Sequence, residues 1–100
     1  MAVSYVYEAE DEELVKYIKS KIPKELKSTN AVIYLTDNVE DISNITENSN
    51  KTIMVITKNY SKEFVTFALE KTNHLMYKLH DRDLIVRKIT KVLEKIKSEK

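Results

Sequence analysis

The stretch KTIMVITKNYSKEFVTFALEKT, residues 51–72, is the part of the sequence that decides the fold class. Its first half contains the apolar run IMVI at residues 53–56, with a threonine on each side. An unbroken apolar run of this length is typical of a strand whose two faces are both covered, as in the centre of a parallel sheet. We therefore expect a buried strand here and a parallel sheet around it.

The second half of the same stretch has the pattern of a helix. Lys58 begins a polar turn, and Ser61 is of a residue type that commonly caps a helix. Three apolar residues then fall on one side of that helix: Phe64, Phe67 and Ala68. A strand, a short turn and an amphipathic helix together form half of a βαβ unit.

The composition bounds the class of protein. With 100 residues the chain has the size of one domain, so we expect residues 1–100 to form a single α/β domain. Its apolar runs are far shorter than the roughly 20 residues needed to span a bilayer, and its first residues lack the pattern of an export signal. These features predict a soluble, cytoplasmic protein. The absence of cysteine and glycine excludes disulfides, thiolate metal sites and glycine-rich phosphate loops.

Charge is unevenly distributed along the chain. Residues 1–50 carry five basic and ten acidic side chains, whereas residues 51–100 carry twelve basic and six acidic ones. Such polarity predicts a molecule that docks on a second copy of itself or presents a basic face to a polyanion.

The first strand and helix are predicted from residues 3–28. Residues 3–7 (VSYVY) are β-branched and aromatic, which favours a strand. An acidic run follows and predicts a helix start with Asp11 as the N-cap. Pro23 predicts a break, with a short turn over residues 24–28. The apolar side of this segment consists of Val15, Ile18, Ile22 and Leu26.

A second strand and a short helix are predicted next. Residues 31–36 (AVIYLT) are nearly all apolar, as expected of a strand. Val39, Ile42 and Ile45 recur at every third position and predict a short helix. Residues 47–50 are then predicted to form a polar loop.

The C-terminal part predicts one more strand and the longest helix. Apolar and polar residues alternate over residues 74–80 (HLMYKLH), which predicts an edge strand with one wetter face. Asp81 or Asp83 is expected to cap the helix that follows. Its apolar stripe consists of Ile85, Ile89, Val92 and Ile96.

The order of elements is therefore βαβαβαβα. It predicts a four-stranded parallel sheet with helices on both faces and right-handed crossovers. Because the third strand is the most continuously apolar and the fourth the most alternating, the strand order 2-1-3-4 of a flavodoxin-like fold is favoured.

With these elements in place, the chain resembles a small TIR-like domain of flavodoxin-like type. The sequence VSYVYEAEDEELVKYI, residues 3–18, is similar to the first TIR strand and its acidic helix start. The sequence KTIMVITKNYSKEF, residues 51–64, is similar to a later strand, turn and helix of that family. The resemblance covers most of the chain and implies a domain that binds other proteins.

Two departures from the TIR pattern concern activity. Enzymatic TIR domains use a glutamate in the helix after this strand to cleave NAD. When Phe64 is aligned with the tryptophan usual there, Ala68 takes the position of that glutamate, and Glu63 and Glu70 do not match it. The family's long loop after the second strand is replaced by the short TDN at residues 36–38. The prediction is a non-enzymatic domain without a cofactor.

A response-regulator receiver is the second family that the chain resembles. Glu8 and Glu10 are similar to the acids with which a receiver holds its metal ion. The phosphoacceptor aspartate of that family is missing, because Thr57 and Lys58 stand at the end of the third strand. Phosphoryl transfer is therefore not predicted.

The candidate ligand crevice lies beyond the carboxyl ends of the strands, where open α/β sheets bind their ligands. The residues expected to rim it are Tyr7, Glu8, Asp37, Lys58, Asn59 and Ser61. Charged residues at strand ends are also usual where a loop meets water, so both interpretations stay open. His74 and His80 would lie roughly 20 Å apart along a strand, too far to share an ion, and no metal site is predicted.

Three functions follow from these observations. The leading hypothesis is a non-enzymatic interaction module that binds protein, including itself, and has no membrane partner. The alternative is nucleic-acid binding through the last helix, whose basic residues are Arg87, Lys88, Lys91 and Lys95. The second alternative is a degenerate NAD-cleaving, TIR-like enzyme.

Overall fold

The computed structural model describes residues 2–43, 45 and 51–99. The four strands are β1 (Ser4–Tyr7), β2 (Val32–Leu35), β3 (Thr52–Ile56) and β4 (His74–Tyr77). The four α-helices are α1 (Glu12–Lys21), α2 (Val39–Ser43), α3 (Lys62–Leu69) and α4 (Arg82–Ser98), and single 3₁₀ turns cover Ala9–Asp11 and Lys24–Leu26. The alternating order of strands and helices is thus confirmed. The loop predicted at residues 47–50 lies outside the described residues.

The sheet is entirely parallel, as predicted, but its strand order is β1-β2-β3-β4 and the predicted order 2-1-3-4 is wrong. In the observed register Tyr5 lies beside Ile33, Ile33 beside Ile53, and Ile53 beside His74. The first strand is therefore an edge strand, and both ends of Ser4–Tyr7 are exposed. The physical reason is hydrophobic burial, since β2 is more apolar than the serine- and tyrosine-containing β1 and gains more from a central place.

The central strand β3 has the environment predicted for it. All five of its residues are buried, and its side chains alternate between two apolar clusters. Ile53 and Val55 join the larger cluster under α1 and α4, whereas Met54 and Ile56 join the smaller cluster under α2 and α3. The predicted parallel sheet with helices on both faces is confirmed.

The connections between strands do not all have the same hand. Each connection steps to the next strand in the same direction across the sheet. The first runs through α1 on one face, and the next two run through α2 and α3 on the other. Crossovers that step the same way on opposite faces have opposite hands, so the expectation of uniformly right-handed crossovers is wrong.

Local signals explain where several helices begin and end. The Ser61 side chain accepts a hydrogen bond from the Phe64 amide at 3.2 Å, which confirms the predicted cap of α3. Asp81 accepts one from the Asp83 amide at 3.1 Å and is the cap of α4. Asp11 holds the predicted N-cap position of α1, but its side chain makes no capping hydrogen bond.

The end of α1 agrees with the prediction, whereas the end of β4 differs from it. Proline ends α1 as predicted, since Ile22 just before it is extended with φ −68° and ψ 132°. The predicted strand over residues 74–80 is too long, because β4 ends at Tyr77 and the chain turns there, with the His80 amide donating to the Tyr77 carbonyl at 3.0 Å. Within the described residues, no helix combines the length and apolar character required to cross a membrane.

Candidate functional site

The residues predicted to rim a crevice lie at the carboxyl ends of the strands. Glu8 and Lys58 are brought together, with 3.9 Å between a Glu8 carboxylate oxygen and the Lys58 ammonium. Asp37 contacts the end of β3, whereas Asn59 and Ser61 serve the start of α3, since Asn59 accepts from the Ser61 amide at 3.2 Å. Tyr7 has an exposed side chain and makes no hydrogen bond to this group within the part of the chain that the structure describes.

An acidic turn, residues 8–13, covers part of the region where a crevice was expected. The turn leaves β1 at one edge of the sheet and contacts lysines that follow β3 and β4. The Lys58 ammonium after β3 forms an ion pair with Glu10, and the Lys78 ammonium after β4 lies 2.7 Å from Asp11. Since β1 and β4 are three strand spacings apart, roughly 14 Å, this turn links opposite edges of the sheet.

The pair Asp11 and Lys78 is the most buried charged contact of this end. The Asp11 side chain is fully buried, while that of Lys78 is 40% exposed. One Asp11 oxygen bonds Lys78, and the other, Oδ2, has no hydrogen-bond partner among the described residues. Because an ionised carboxylate is costly to bury without a partner, the position of Lys78 matters for the stability of the fold.

The sequence pattern does not predict this pair. Asp11 stands in an acidic run that predicts a helix cap, and Lys78 stands in an alternating run that predicts the wetter face of a strand. No local signal distinguishes Asp11 from its exposed neighbours in the acidic run, because its burial is set by the tertiary structure.

A second link joins the ends of β2 and β3. The Asp37 carboxylate accepts a hydrogen bond from the Thr57 hydroxyl at 3.0 Å and one from the Thr57 amide at 3.3 Å. The Tyr60 hydroxyl donates to the Thr57 carbonyl at 3.0 Å. Asp37 therefore holds two neighbouring strand ends together through hydrogen bonds to a buried threonine.

Three carboxylates of the acidic turn lie close enough to hold a cation. Glu8, Glu10 and Asp11 each offer an oxygen, and these atoms lie within 4.8 Å of one another. The ammonium groups of Lys58 and Lys78 already contact them. The charge of the cluster is thus largely offset by the protein's own lysines.

The helix after β3 has the predicted orientation. Phe64 and Ala68 are buried, and Phe67 is partly buried against the smaller cluster. Glu63 and Glu70 are both exposed. The two glutamates nearest to the TIR catalytic position therefore face away from the apolar side of α3.

Charge is separated between the two ends of the sheet. We define the carboxyl end as residues 8–13, 36–40, 57–63 and 78–83, and the amino end as residues 19–30, 51, 70–73 and 94–99. The carboxyl end carries ten acidic and four basic side chains, whereas the amino end carries eight basic and four acidic ones. The contrast between the two ends is distinct from the contrast between the two halves of the sequence, because each end contains residues from both halves.

The basic residues proposed for nucleic acid lie along α4. Arg87, Lys91 and Lys95 are exposed at intervals of four residues and share one side of the helix. Lys88 is half-buried, and the acidic Glu94 is also exposed on this helix. The structure therefore brings three of the four predicted residues into one row.

Comparisons with protein-family models, with curated proteins and with solved structures found no match for this chain.

Proposed function

We propose that this protein is a non-enzymatic interaction module that binds a second copy of itself head to tail. The observation that carries the proposal is the charge separation between the acidic carboxyl end and the basic amino end. Two ends of opposite sign on one molecule are complementary to each other on neighbouring copies.

The charge separation has a physical origin in the parallel arrangement. All helices of a parallel α/β domain run opposite to the strands, so their N-termini share one end of the sheet. Acidic residues favour helix N-termini and basic residues favour C-termini because of the helix dipole. In α1, Glu12 and Glu13 lie in the first turn and Lys19 and Lys21 in the last. The same polarity recurs in α4, with Asp83 in the first turn.

A head-to-tail contact has consequences for the assembly. Such a contact joins two different surfaces, so a pair of copies keeps one free acidic end and one free basic end. The assembly then grows as a ring or an open filament. A two-fold symmetric dimer is not favoured, because it would place like charges against each other.

Sedimentation velocity at low and high salt tests this proposal. The expected result is concentration-dependent growth at about 10 mM salt, where charges act over roughly 30 Å, and monomers at about 1 M salt, where they act over roughly 3 Å. A protein that stays monomeric at both salt concentrations would overturn the proposal.

Charge-reversed variants sharpen the test. Glu13→Lys with Glu40→Lys reduces the net charge of the carboxyl end from −6 to −2, and Lys21→Glu with Lys24→Glu reduces that of the amino end from +4 to 0. Each variant alone should assemble more weakly than the unaltered protein. A mixture of the two should form pairs, because the unaltered amino end of the first variant meets the unaltered carboxyl end of the second. All four residues are exposed, so folding should be preserved.

The matched control reverses two charges on the flank of α4. Arg87→Glu with Lys91→Glu lies at neither end of the sheet and should leave the assembly unchanged. Loss of assembly in this control, with retention in the two end variants, would place the contact on α4 and contradict the head-to-tail arrangement.

The absence of enzymatic activity is a separate prediction. NAD cleavage requires a carboxylate positioned against a nucleotide pocket, and both Glu63 in the first turn of α3 and Glu70 just after that helix are exposed. We expect no NAD consumption by the concentrated protein at low salt. Consumption that is lost in Glu63→Ala or Glu70→Ala, and kept in Glu94→Ala, would identify the protein as an enzyme.

Nucleic-acid binding is the second candidate function, supported by the exposed row of Arg87, Lys91 and Lys95. Phosphate contacts of this kind give an affinity that falls steeply with salt. On duplex DNA, the logarithm of the binding constant falls against the logarithm of the salt concentration with a slope near −0.9 per contact. A gel-shift assay at about 50 mM salt tests it, since non-specific binding is strong there. A complex that disappears in Arg87→Gln with Lys91→Gln would support this function over self-association.

A further inference from the structure

A pocket opens at the amino end of the sheet, beside the free edge of β1. Its volume is about 190 Å³, and five residues line it: Val3, Tyr5, Lys19, Ile22 and Lys27. It lies at the opposite end from the crevice predicted from the sequence, and it is separate from the acidic turn.

The break after α1 shapes this pocket. The extended backbone of Ile22 ends the helix and turns the chain into the 3₁₀ turn Lys24–Leu26. The Val3 amide donates a hydrogen bond to the Lys27 carbonyl at 3.2 Å, which fixes the returning chain beside β1. Because β1 is an edge strand, no further strand among the described residues extends the sheet beyond this site.

The floor of the pocket is apolar. Ile22 is 4% exposed and belongs to the larger apolar cluster. Val3 and Tyr5 are half-buried and pack against the same cluster. The floor is therefore anchored in the core and offers apolar surface to a bound molecule.

The rim of the pocket carries two positive charges. The Lys19 ammonium lies 5.1 Å from the centre of the Tyr5 ring, a favourable cation–π distance. Neither Lys19 nor Lys27 forms an ion pair with a carboxylate in the part of the chain that the structure describes. These ammonium groups differ from those of Lys58 and Lys78, which are paired at the other end.

Tyr5 adds a neutral hydrogen-bonding group. Its hydroxyl makes no hydrogen bond with another described residue. Burial raises the pKa of Tyr5 to about 12, so the phenol keeps its proton at neutral pH. A neutral phenol beside two ammonium groups does not repel an anion.

We infer that this pocket binds a small organic acid with its carboxylate between Lys19 and Lys27 and its apolar body against Val3, Tyr5 and Ile22. The size of the pocket limits the apolar body, since a cavity of about 150 Å³ is enough to hold benzene. One aromatic ring or a short branched chain fits this volume. Binding requires both parts of the ligand, the anionic group for the rim and the apolar body for the floor.

An amide NMR titration of the full chain with phenylacetate tests this inference. The expected result is saturable shifts at the five lining residues. Phenylethanol keeps the apolar body without the charge, and inorganic phosphate keeps a charge without the body. Phenylethanol should bind at least about tenfold more weakly, the factor that corresponds to loss of one charged hydrogen bond. Phosphate should also bind at least about tenfold more weakly, because it buries no apolar surface against the floor. Equal affinity for either probe, or shifts confined to the carboxyl end, would overturn the inference.

Two double variants with the same change in net charge complete the test. Lys19→Gln with Lys27→Gln removes the rim and should weaken phenylacetate binding by about tenfold or more. Lys21→Gln with Lys24→Gln removes two exposed charges outside the pocket and should change the affinity for phenylacetate by less than about twofold. Equal weakening in both variants would show attraction by the general field of the amino end and would overturn the inference.

The result is distinguishable from the test of self-association. Circular dichroism should show that both double variants keep the fold, because all four lysines are exposed. The titration is carried out at about 100 mM salt, where charges act over about 10 Å and end-to-end attraction is weakened. Phenylacetate binding by a monomer would support the pocket even if head-to-tail assembly failed.

Discussion

The two ends of the sheet differ in how their charges are used. At the carboxyl end, side chains from separate elements bond to each other, as Asp11 does to Lys78 and Asp37 to Thr57. At the amino end, no lysine of the described residues is paired with a carboxylate. Lysines there contact aromatic rings or backbone carbonyls, as Lys97 does with the Glu25 carbonyl at 2.7 Å.

This difference separates structural charges from charges available to a partner. Paired groups at the carboxyl end hold the turns that follow the strands. Their charges are partly offset by each other, so less of their field is available to a partner. The unpaired lysines at the amino end keep their positive field for an external anion. Mutations at the carboxyl end should therefore change stability, and mutations at the amino end should change binding.

The largest effect on stability is expected for Lys78→Met. This change leaves the buried Asp11 carboxylate without its cation and should lower the free energy of unfolding by about 2–4 kcal/mol. The matched variant Lys24→Met at the amino end should change it by less than about 0.5 kcal/mol. Urea unfolding followed by circular dichroism measures both. Similar losses in the two variants would contradict the contrast between the ends.

A smaller effect is expected for Asp37→Ala. It removes both hydrogen bonds to Thr57, whose side chain is buried, and should cost about 1–2 kcal/mol. Asn30→Ala, an exposed position at the amino end, is the control and should cost less than about 0.5 kcal/mol. If Asp37→Ala unfolds at the same urea concentration as the unaltered protein, the link between β2 and β3 contributes nothing to stability.

The smallest effect on stability is expected at alkaline pH and involves Tyr5 at the amino end. Burial raises the pKa of Tyr5 to about 12, above the usual value of 10.0. The stability that depends on its proton is complete below pH 10 and is lost as pH rises through about 12, because the unfolded phenol ionises first.

A comparison with Tyr5→Phe isolates this residue from the other groups that titrate in the same range. Thermal unfolding at pH 9 and at pH 11 measures the loss of stability between these two pH values. The unaltered protein should lose more stability than the variant. Equal losses would mean that the Tyr5 hydroxyl is not buried in the folded protein.

The elements of the fold were predictable because their causes are local. The apolar run at residues 53–56, the cap at Ser61 and the break before Pro23 each act within a few residues. The strand order was wrong because it depends on which strands gain most by burial, a comparison across the whole chain. The apolar character of β2 favoured a central place for it, and the serine and tyrosines of β1 favoured an edge.

Local patterns are sufficient to predict an α/β chain with a buried parallel strand and with acidic starts and basic ends in α1 and α4, because periodicity and the helix dipole act along the chain. The burial of Asp11 against Lys78 depends instead on the tertiary structure, and so does the pocket lined by Val3, Tyr5, Lys19, Ile22 and Lys27. The physical reason is that burial and ion pairing join residues distant in sequence, such as positions 11 and 78. Their meeting depends on the order in which the strands are placed.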